Sequence, residues 1–482
     1  MGPVWKAFHQ SGKLSPAMLN QVNPDSLPLR RRDFAPEFRW GCATSAYQIE
    51  GAGSADGRGE SIWDRFCTIP GNVRDGSSGA VACDHFHRWR EDLDLTAALG
   101  VGAYRFSIAW PRIFPTGAGA ANAAGIDFYS RLVDGMLERG LEPWATLYHW
   151  DLPQALQERG GWNDPATIAR FTEFADAVSR RLGDRVKHWI THNEPWCTAF
   201  LGHYDGTHAP GIRDWRTALQ VCHNVLLSHG AAIPALRANA AGARVGISLS
   251  LHPHVSASDS EADRAATRRY DGLRNRWFLD PLYGRGYPAD ILQLCGADAP
   301  VVGAGDMAVI ATPTDFLGVN YYFPETIAHE GDNGPLSVRV VDKPGAERTA
   351  LGWEVSPDGL VSLLTRVRHD YRPAEIYITE NGSSYDDVVG PDGSIDDAER
   401  RGYLIRHLHA VRESIRAGVP VKGYFAWTLM DNFEWAEGYT RRFGLAHVDF
   451  ASQRRQLKRS GQWYRDFLAP TPQAAGGAAT TP

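Results

Sequence analysis

The sequence predicts an α/β fold, a single (β/α)8 (TIM) barrel with extended βα loops, and three observations support this prediction. Eight short apolar runs occur along the chain, segments with helical spacing separate several of them, and no linker or fixed-period repeat divides the body of the sequence. Alternating strands and helices predict a parallel sheet, because right-handed crossovers place each strand beside the previous one. Eight such units are typical of a closed barrel.

The candidate strands are short apolar runs with few charges. In chain order they lie at residues 38–43, 103–107, 143–147, 186–191, 245–249, 315–319, 376–379 and 421–427. Apolar residues recur at helical spacing most clearly at 128–137, before Gly140, and at 404–415, before Gly418. A glycine just after a periodic segment is typical of a helix carboxyl terminus. A doubly wound open sheet would give a similar alternation, but no G-x-G-x-x-G motif follows any candidate strand.

The domain organisation follows from the same pattern. Residues 1–35 mix polar, proline and basic residues without periodicity, and residues 469–482 are rich in proline, alanine, glycine and threonine. Such segments are typical of loose ends of a chain. The sequence therefore predicts a loose amino-terminal extension at 1–35, one barrel domain at 36–468 and a disordered carboxyl-terminal tail at 469–482.

Composition and charge argue against several classes of protein. Of the 482 residues, 43% are hydrophobic and 22% are charged, and no apolar run is long enough to span a bilayer. The net charge is -6, and no cluster of lysine and arginine is long enough to follow a phosphate backbone. We therefore expect neither a membrane nor a nucleic acid as a partner. The oligomeric state stays open between a monomer and a small homo-oligomer.

Cysteine usage bears on compartment and metal binding. Six cysteines are spread through the chain without a C-x-x-C pair, a spacing that favours buried thiols over a disulfide or zinc framework. Residues 1–10 lack the charged and apolar regions of a signal peptide. We therefore expect a reducing, cytoplasmic setting, with no metal site and no cofactor.

Polar and aromatic residues gather directly after the carboxyl ends of the predicted strands. They are Gln48 after the first strand, His149 and Trp150 after the third, Asn193 and Glu194 after the fourth, Asn320, Tyr321 and Tyr322 after the sixth, Glu380 and Asn381 after the seventh, and Asp431, Asn432, Glu434 and Trp435 after the eighth. A barrel builds its active site at this end of its strands. The prediction is therefore one pocket that collects residues far apart in the sequence.

Two carboxylates in this set carry the chemical argument. Glu194 lies in T-H-N-E-P, and Glu380 lies in I-T-E-N-G. Cleavage of a glycosidic bond needs one carboxylic acid to protonate the departing oxygen and one carboxylate at the oxocarbenium-like centre. The surrounding tryptophan, tyrosine, asparagine, glutamine and histidine residues supply stacking faces and hydrogen bonds for hydroxyl groups, which is the composition of a sugar pocket.

Simpler interpretations of these residues stay open at this point. Either glutamate motif alone could be a surface turn or a helix start. His149 and His192 could be core histidines with satisfied hydrogen bonds, and Trp427 and Trp435 could be core aromatic residues. Arg105 lies in an apolar strand, where an unpaired charge is costly, so we expect it to have a carboxylate partner.

Longer motifs identify a family. They are F-R-W-G-C-A-T-S-A-Y-Q-I-E-G at 38–51, Y-R-F-S-I-A-W at 104–110, H-W-D-L-P at 149–153, the two glutamate motifs, and W-T-L-M-D-N-F-E-W at 427–435. In this order they resemble glycoside hydrolase family 1, the β-glucosidase family, from about residue 38 to residue 467. The resemblance implies a β-glycosidase that retains the configuration of the anomeric carbon.

The resemblance also implies a role for each matching residue. It implies Glu194 as acid/base, Glu380 as nucleophile, and Arg105, Tyr322 and Asn320 as residues that support them. It further implies substrate binding by Gln48, His149, Trp150, Asn193, Glu434 and Trp435, an aromatic floor at Trp427 and an aglycone platform at Trp353.

The family pattern also implies the substrate class. Because Glu194 is not replaced by glutamine, hydrolysis of O-glycosides is favoured, and Glu434 would repel a 6-phosphorylated sugar. The implied substrates are β-glucosides, cellobiose and short β-linked oligosaccharides. Cleavage of galactosyl and fucosyl residues stays an open alternative. A sugar-binding protein without catalysis and a transglycosylase remain alternatives.

For the mechanism we expect double displacement with the two carboxyl groups ~5 to 5.5 Å apart. Glu194 has to be protonated and Glu380 ionised near neutral pH. We expect the charge of Glu380 to raise the pKa of Glu194, and Arg105 to lower the pKa of Glu380.

Overall fold

The structure, a computed structural model, describes residues 19–20, 28–331 and 333–470 and contains a closed barrel of eight parallel strands. The strands are β1 (Arg39–Ala43), β2 (Ala103–Ser107), β3 (Glu142–Tyr148), β4 (His188–Asn193), β5 (Arg244–Ser250), β6 (Phe316–Asn320), β7 (Ile376–Asn381) and β8 (Val421–Trp427). Each strand pairs with its neighbours in chain order, and β1 closes the barrel against β8. The predicted fold and all eight strands are confirmed, with ends that differ by at most two residues.

Bulky side chains fill the barrel interior where glycines leave room for them. One cluster of buried side chains contains residues from seven of the strands, among them Trp144 on β3, Phe316 on β6 and Phe425 on β8. A Cβ atom on Gly41 would lie 2.3 Å from the Phe425 ring, and one on Gly246 would lie 2.5 Å from the Phe316 ring. Large and small residues therefore alternate around the barrel, which gives a packed core instead of a pore.

Helices surround the barrel. The longer ones are His85–Ala98, Ala123–Glu138, Ala166–Leu182, Trp215–Asn239, Glu261–Asp271, Pro357–Tyr371, Ala398–Arg416 and Arg459–Leu468. The shorter ones are Ala46–Ile49, Ile62–Cys67, Trp110–Ile113, Gln154–Gln157, Trp277–Leu282, Ala289–Cys295 and Asp306–Ile310. The two helices predicted most clearly, before Gly140 and Gly418, are confirmed as Ala123–Glu138 and Ala398–Arg416. No helix within the described ranges is long and apolar enough to cross a membrane.

Two small sheets extend the loops that follow the strands. A three-stranded sheet contains His254–Ser256, Glu325–His329 and Val338–Val341, and a two-stranded sheet contains Ala446–Asp449 and Arg454–Leu457. The first sheet lies in the connections after β5 and β6, and the second follows β8. Both therefore add to the end of the barrel where the strands finish.

The ends of the predicted domain are only partly described. Residues 1–18, 21–27 and 471–482 lie outside the described residues, so most of the predicted extension and tail carries no structural account. Within the part that is described, Leu19 is buried, and Phe34 packs against Phe38, Trp40 and Phe467 with ring centroids 4.8 to 6.4 Å apart. All six cysteines are free thiols.

Candidate active site

The carboxyl ends of the strands surround a cavity of about 420 Å³. Nine of the residues that the sequence predicts for the site line it: His149, Trp150, Glu194, Tyr322, Trp353, Glu380, Trp427, Glu434 and Trp435. The other four, Gln48, Arg105, Asn193 and Asn320, are buried behind the wall and contact the lining residues through hydrogen bonds. The expected convergence on one pocket is therefore present in part. Four other strand-end residues, Tyr321, Asn381, Asp431 and Asn432, are buried and do not line the cavity.

Glu194 follows the last residue of β4 and turns its side chain into the cavity. Its backbone φ is 48°, in the left-handed region, and its N–H donates to the carbonyl of Ser248 on β5 at 2.8 Å. Asn320 Nδ2 donates to Oε1 of the carboxyl group at 2.9 Å, and the Cys197 thiol donates to Oε2 at 3.2 Å. A non-glycine residue in this conformation is strained and persists only where its surroundings hold it. The neighbouring strands therefore determine where this carboxyl group lies.

Glu380 lies on β7, where the pairing with β6 and β8 is irregular. Arg105 Nη1 lies 2.5 Å from Oε1, and the Tyr322 hydroxyl donates to Oε2 at 2.7 Å. Arg105 is fully buried, so the carboxylate partner expected for it from the sequence is present. Two donors, one of them charged, stabilise the ionised form of Glu380.

Arg105 and two asparagines link the two glutamates. Arg105 Nη2 donates to Asn193 Oδ1 at 2.6 Å, and Asn320 Nδ2 donates to the same oxygen at 3.0 Å. Since Arg105 also contacts Glu380 and Asn320 also contacts Glu194, one buried network reaches both carboxyl groups. Such a network fixes the position of each carboxyl group relative to the other.

The electrostatics of Glu380 differ from the expectation. Burial raises the pKa of its carboxyl group to about 7, and the charge of Glu194 acts in the same direction, whereas Arg105 and Tyr322 lower it. The lowering effect that the sequence predicts for Arg105 is present, but it is smaller than the effect of burial. Loss of solvation outweighs the guanidinium because Glu380 is 3% exposed.

Glu434 lines the cavity, and Gln48 lies buried behind it. Gln48 Nε2 donates to Asn432 Oδ1 at 3.0 Å, to the Phe433 carbonyl at 2.9 Å and to Glu434 Oε2 at 3.4 Å. Burial raises the pKa of the Glu434 carboxyl group to about 8, and the charge of Glu380 adds to this effect. Glu434 is therefore mostly protonated at neutral pH and can donate as well as accept a hydrogen bond.

His149 is a neutral side chain with one free ring nitrogen. Burial and the charge of Arg105 hold its pKa well below the ordinary value. Asn193 Nδ2 donates to Nε2 at 3.0 Å, so Nδ1 carries the proton, and Nδ1 has no partner among the described residues. The His149 ring lines the cavity, but this unused donor is itself buried. His192, in contrast, is a core histidine that packs against Phe171.

Aromatic rings form much of the remaining wall. Trp427 stacks on His149 with ring centroids 5.9 Å apart, and Trp435 packs against Trp150 at 4.6 Å. Trp353 packs on Phe323 at 4.8 Å. These rings offer apolar faces to a ring-shaped ligand with aliphatic C–H groups.

Sequence reasoning missed more than half of the lining. The missed residues are Trp196, Cys197, Leu201, Thr207, His208, Ser250, His252, Arg274, Phe323, Glu325, Leu351, Ala436, Glu437 and Phe443. Ser250 ends β5 and His252 follows it, so the rule that found the other residues could have found these two. Most of the others lie on long connections, whose path over the barrel has no signal in the sequence. Within the described ranges, no group of three His, Cys, Asp or Glu side chains is placed to hold a metal ion.

Comparison with known proteins agrees with this geometry. The sequence profile described as "Glycosyl hydrolase family 1" matches residues 30–471. "Beta-glucosidase A" of Thermotoga maritima is 45% identical over 438 residues, 91% of this chain and 98% of that protein. The "Bifunctional beta-D-glucosidase/beta-D-fucosidase" of Bifidobacterium breve is 43% identical over 457 residues, 90% of this chain and 98% of that protein. The solved structure "Family 1 b-glucosidase from Thermotoga maritima" superimposes with a TM-score of 0.88 at 44% identity, covering 90% of this chain and 97% of that chain.

Proposed function

The chain belongs to glycosyl hydrolase family 1, and from this premise we propose that Glu380 is the nucleophile and Glu194 the acid/base of its reaction. The protein is a retaining β-glycosidase, a β-glucosidase that removes terminal β-D-glucosyl residues. One observation carries the assignment of roles: both carboxyl groups line the same cavity and belong to one buried network through Arg105 and Asn320.

The reaction has two steps. First, an oxygen of Glu380 bonds to the anomeric carbon while the bond from that carbon to the departing oxygen breaks, and Glu194 gives its proton to that oxygen. Then water attacks the same carbon, Glu194 takes the proton of the water, and the bond to Glu380 breaks. Two inversions return the original configuration.

The hydrogen-bond donors around each carboxyl group support this division of roles. Glu380 accepts from a guanidinium and a phenol, whereas Glu194 accepts from the Asn320 amide and the Cys197 thiol. A charged donor stabilises a carboxylate about twice as strongly as a neutral one. These donors therefore favour a carboxylate at Glu380, which is the form that a nucleophile requires.

We assign the remaining side chains to the sugar that is cleaved. We assign His149 and the protonated carboxyl group of Glu434 to hydroxyl groups, and Trp427 to the floor under the ring, since all three side chains line the cavity. Gln48 holds Glu434 in place through its amide. We assign Trp353, which lines the cavity and packs on Phe323, to the aglycone.

The finer points of substrate and setting are also proposals. We expect the substrates to be β-glucosides, cellobiose and short β-linked oligosaccharides, and we expect the protein to act in cellulose degradation. Galactosyl and fucosyl residues are alternative glycones. Glu434 should exclude a 6-phosphorylated sugar most strongly above a pH of about 8, where its carboxyl group is ionised. Six free thiols support a reducing, cytoplasmic setting.

The test of this function is the stereochemistry of hydrolysis. Nitrophenyl β-glucoside should release β-glucose as the first product, visible by proton NMR before mutarotation. Release of α-glucose would overturn the assignment of Glu380 as nucleophile, and binding without turnover would favour a sugar-binding protein. A panel of nitrophenyl glucoside, galactoside and fucoside then ranks the glycones.

A further inference from the structure

A buried network of ion pairs joins the connections that follow β7 and β8. Its six side chains, three anionic and three cationic, are Asp387, Asp397, Arg400, Asp431, Arg442 and Lys458. Five of these side chains are at most 1% exposed, and that of Arg442 is 23% exposed. None of the six lines the catalytic cavity. Any part that the network takes in the reaction is therefore indirect.

The Asp431 carboxylate holds both ends of the loop at 431–444. Its Oδ1 accepts from the Gly444 N–H at 2.9 Å, and its Oδ2 accepts from Arg442 Nη1 at 2.7 Å. A Cβ atom on Gly444 would lie 2.1 Å from the Asp431 backbone nitrogen, so the two ends of the loop pack with no side chain between them. One buried carboxylate therefore closes this loop.

The closed loop supplies part of the wall of the catalytic cavity. The lining residues that it carries are Glu434, Trp435, Ala436, Glu437 and Phe443. Glu434, assigned above to a sugar hydroxyl group, comes only three residues after Asp431. A shift of the Asp431 end of the loop therefore moves the Glu434 carboxyl group relative to the sugar.

Lys458 joins this loop to the connection after the nucleophile. Its Nζ lies 2.5 Å from Asp431 Oδ1 and 2.5 Å from Asp387 Oδ2. Asp387 lies in the connection that follows Glu380 on β7, and it also accepts from Arg400 at 2.8 and 2.9 Å. Buried charges need several partners in good geometry, so a satisfied network of this kind favours one arrangement. Lys458 therefore fixes the two connections relative to each other.

The closure depends on the charge of Asp431 as well as on its shape. Burial opposes ionisation of this carboxyl group, but Lys458 and Arg442 outweigh burial and hold its pKa below the ordinary value. The ionised group accepts from three donors, those of Lys458, Arg442 and Gly444. An asparagine has one oxygen and would turn an N–H₂ group towards one of these donors. Asp431→Asn should therefore loosen the loop although the two side chains have nearly the same shape.

We propose that Asp431 and Lys458 are positioning residues, which hold Glu434 where it binds the sugar that is cleaved. The proposal rests on the proposed function, because that function assigns Glu434 to this sugar. The two residues act only through the loop at 431–444, since neither lines the cavity. Their loss weakens sugar binding before and during bond cleavage alike, and a loss of this kind raises KM more than it lowers kcat.

The test is a measurement of KM and of kcat per active site for nitrophenyl β-glucoside at neutral pH in Asp431→Asn. KM should rise about 10-fold, the factor that corresponds to one lost hydrogen bond, and kcat should fall less than about 3-fold. A purely structural role would reduce the number of folded molecules and leave KM unchanged. An unchanged KM, or a loss confined to kcat, would overturn the proposal.

Glu413→Gln is the matched control. Glu413 is a buried carboxylate that accepts from Arg412 Nη2 and Arg416 Nη1 at 3.0 Å each. It lies near the end of the helix Ala398–Arg416 that precedes β8, far along the chain from the loop at 431–444. The variant should lower the melting temperature without changing KM. An equal rise of KM in Glu413→Gln would show that lost stability alone produces the effect, and would overturn the proposal.

Two further variants test the other members of the network. Arg442→Gln changes the one side chain of the six that reaches solvent, so it should fold even where Asp431→Asn does not, and it should raise KM by a smaller factor. Lys458→Met should raise KM as Asp431→Asn does. A KM that is unchanged in Arg442→Gln, or unchanged in folded Lys458→Met, would contradict the positioning role. Absence of nitrophenyl glucoside hydrolysis by the unchanged protein would instead contradict the proposed function itself.

Discussion

Arg105 Nη1 lies 2.5 Å from Glu380 Oε1, although 275 positions separate the two residues in the sequence. The guanidinium is fully buried, and its remaining nitrogens are held by Thr146 and Asn193. Burial raises the pKa of Glu380, and this contact opposes the effect. The charge state of the nucleophile is therefore a balance between desolvation and two donors, and this balance can be tested.

The first prediction concerns Tyr322→Phe. The Tyr322 hydroxyl lowers the pKa of Glu380, so its removal raises that pKa and the ionised nucleophile is lost at a higher pH. The acid limb of the kcat/KM profile should move upward by about one pH unit, the shift that a hydrogen bond of about 1.5 kcal/mol to a charged group produces. Tyr321→Phe is the matched control, because the Tyr321 hydroxyl donates to the Ser356 carbonyl instead. An unmoved acid limb in Tyr322→Phe would show that this hydroxyl does not stabilise the carboxylate.

The second prediction concerns Glu380→Ala. Loss of the nucleophile should lower kcat by about 10⁴- to 10⁶-fold, the range seen when a covalent catalyst is removed. Azide or formate should restore part of the activity, because a small anion can occupy the space of the missing carboxylate. The product with azide should be the α-glycosyl azide, since only one displacement takes place. A β-configured product, or no rescue by either anion, would count against Glu380.

The third prediction concerns Glu194→Ala. An acid is needed only where the departing oxygen is basic, so substrates with poor leaving groups should lose about 10²- to 10⁴-fold in kcat/KM. For dinitrophenyl glucoside, kcat/KM, which reports the first step, should fall far less. The measurement is a plot of log kcat/KM against leaving-group pKa, which should become steeper in the variant. Parallel losses across the whole series would contradict the acid role.

The fourth prediction concerns Glu434→Gln. Burial raises the pKa of Glu434 to about 8, so the carboxyl group donates a hydrogen bond below this pH and loses that ability above it. KM for nitrophenyl glucoside should therefore rise above a pH of about 8 in the unchanged protein. Glutamine keeps an N–H donor at every pH, so the rise should disappear in the variant.

A second variant checks the cause of that rise. The charge of Glu437 helps to raise the pKa of Glu434, so Glu437→Gln should move the rise in KM to a lower pH. A KM that does not change with pH in the unchanged protein would contradict the assignment of Glu434 as a titrating sugar ligand.

Much of the architecture could be predicted because it depends on local patterns. Each of the eight strands is a buried apolar run, and burial on both faces of a parallel strand leaves that signal in the sequence. Glu194 and Glu380 could be found because they end such runs. Arg105 could be assigned a carboxylate partner, since an isolated buried charge is too costly to exist.

By itself, the sequence determined the barrel, its two glutamates and the residues at the strand ends, because strand periodicity and motif spacing are properties of neighbouring residues. Only the tertiary structure decided how Arg105 and Asn320 connect the glutamates, why Glu380 has a raised pKa, and that Arg274 stacks on Trp196 in the cavity wall. These features depend on distances between residues on different strands and on the exclusion of water, and both arise only when the barrel closes.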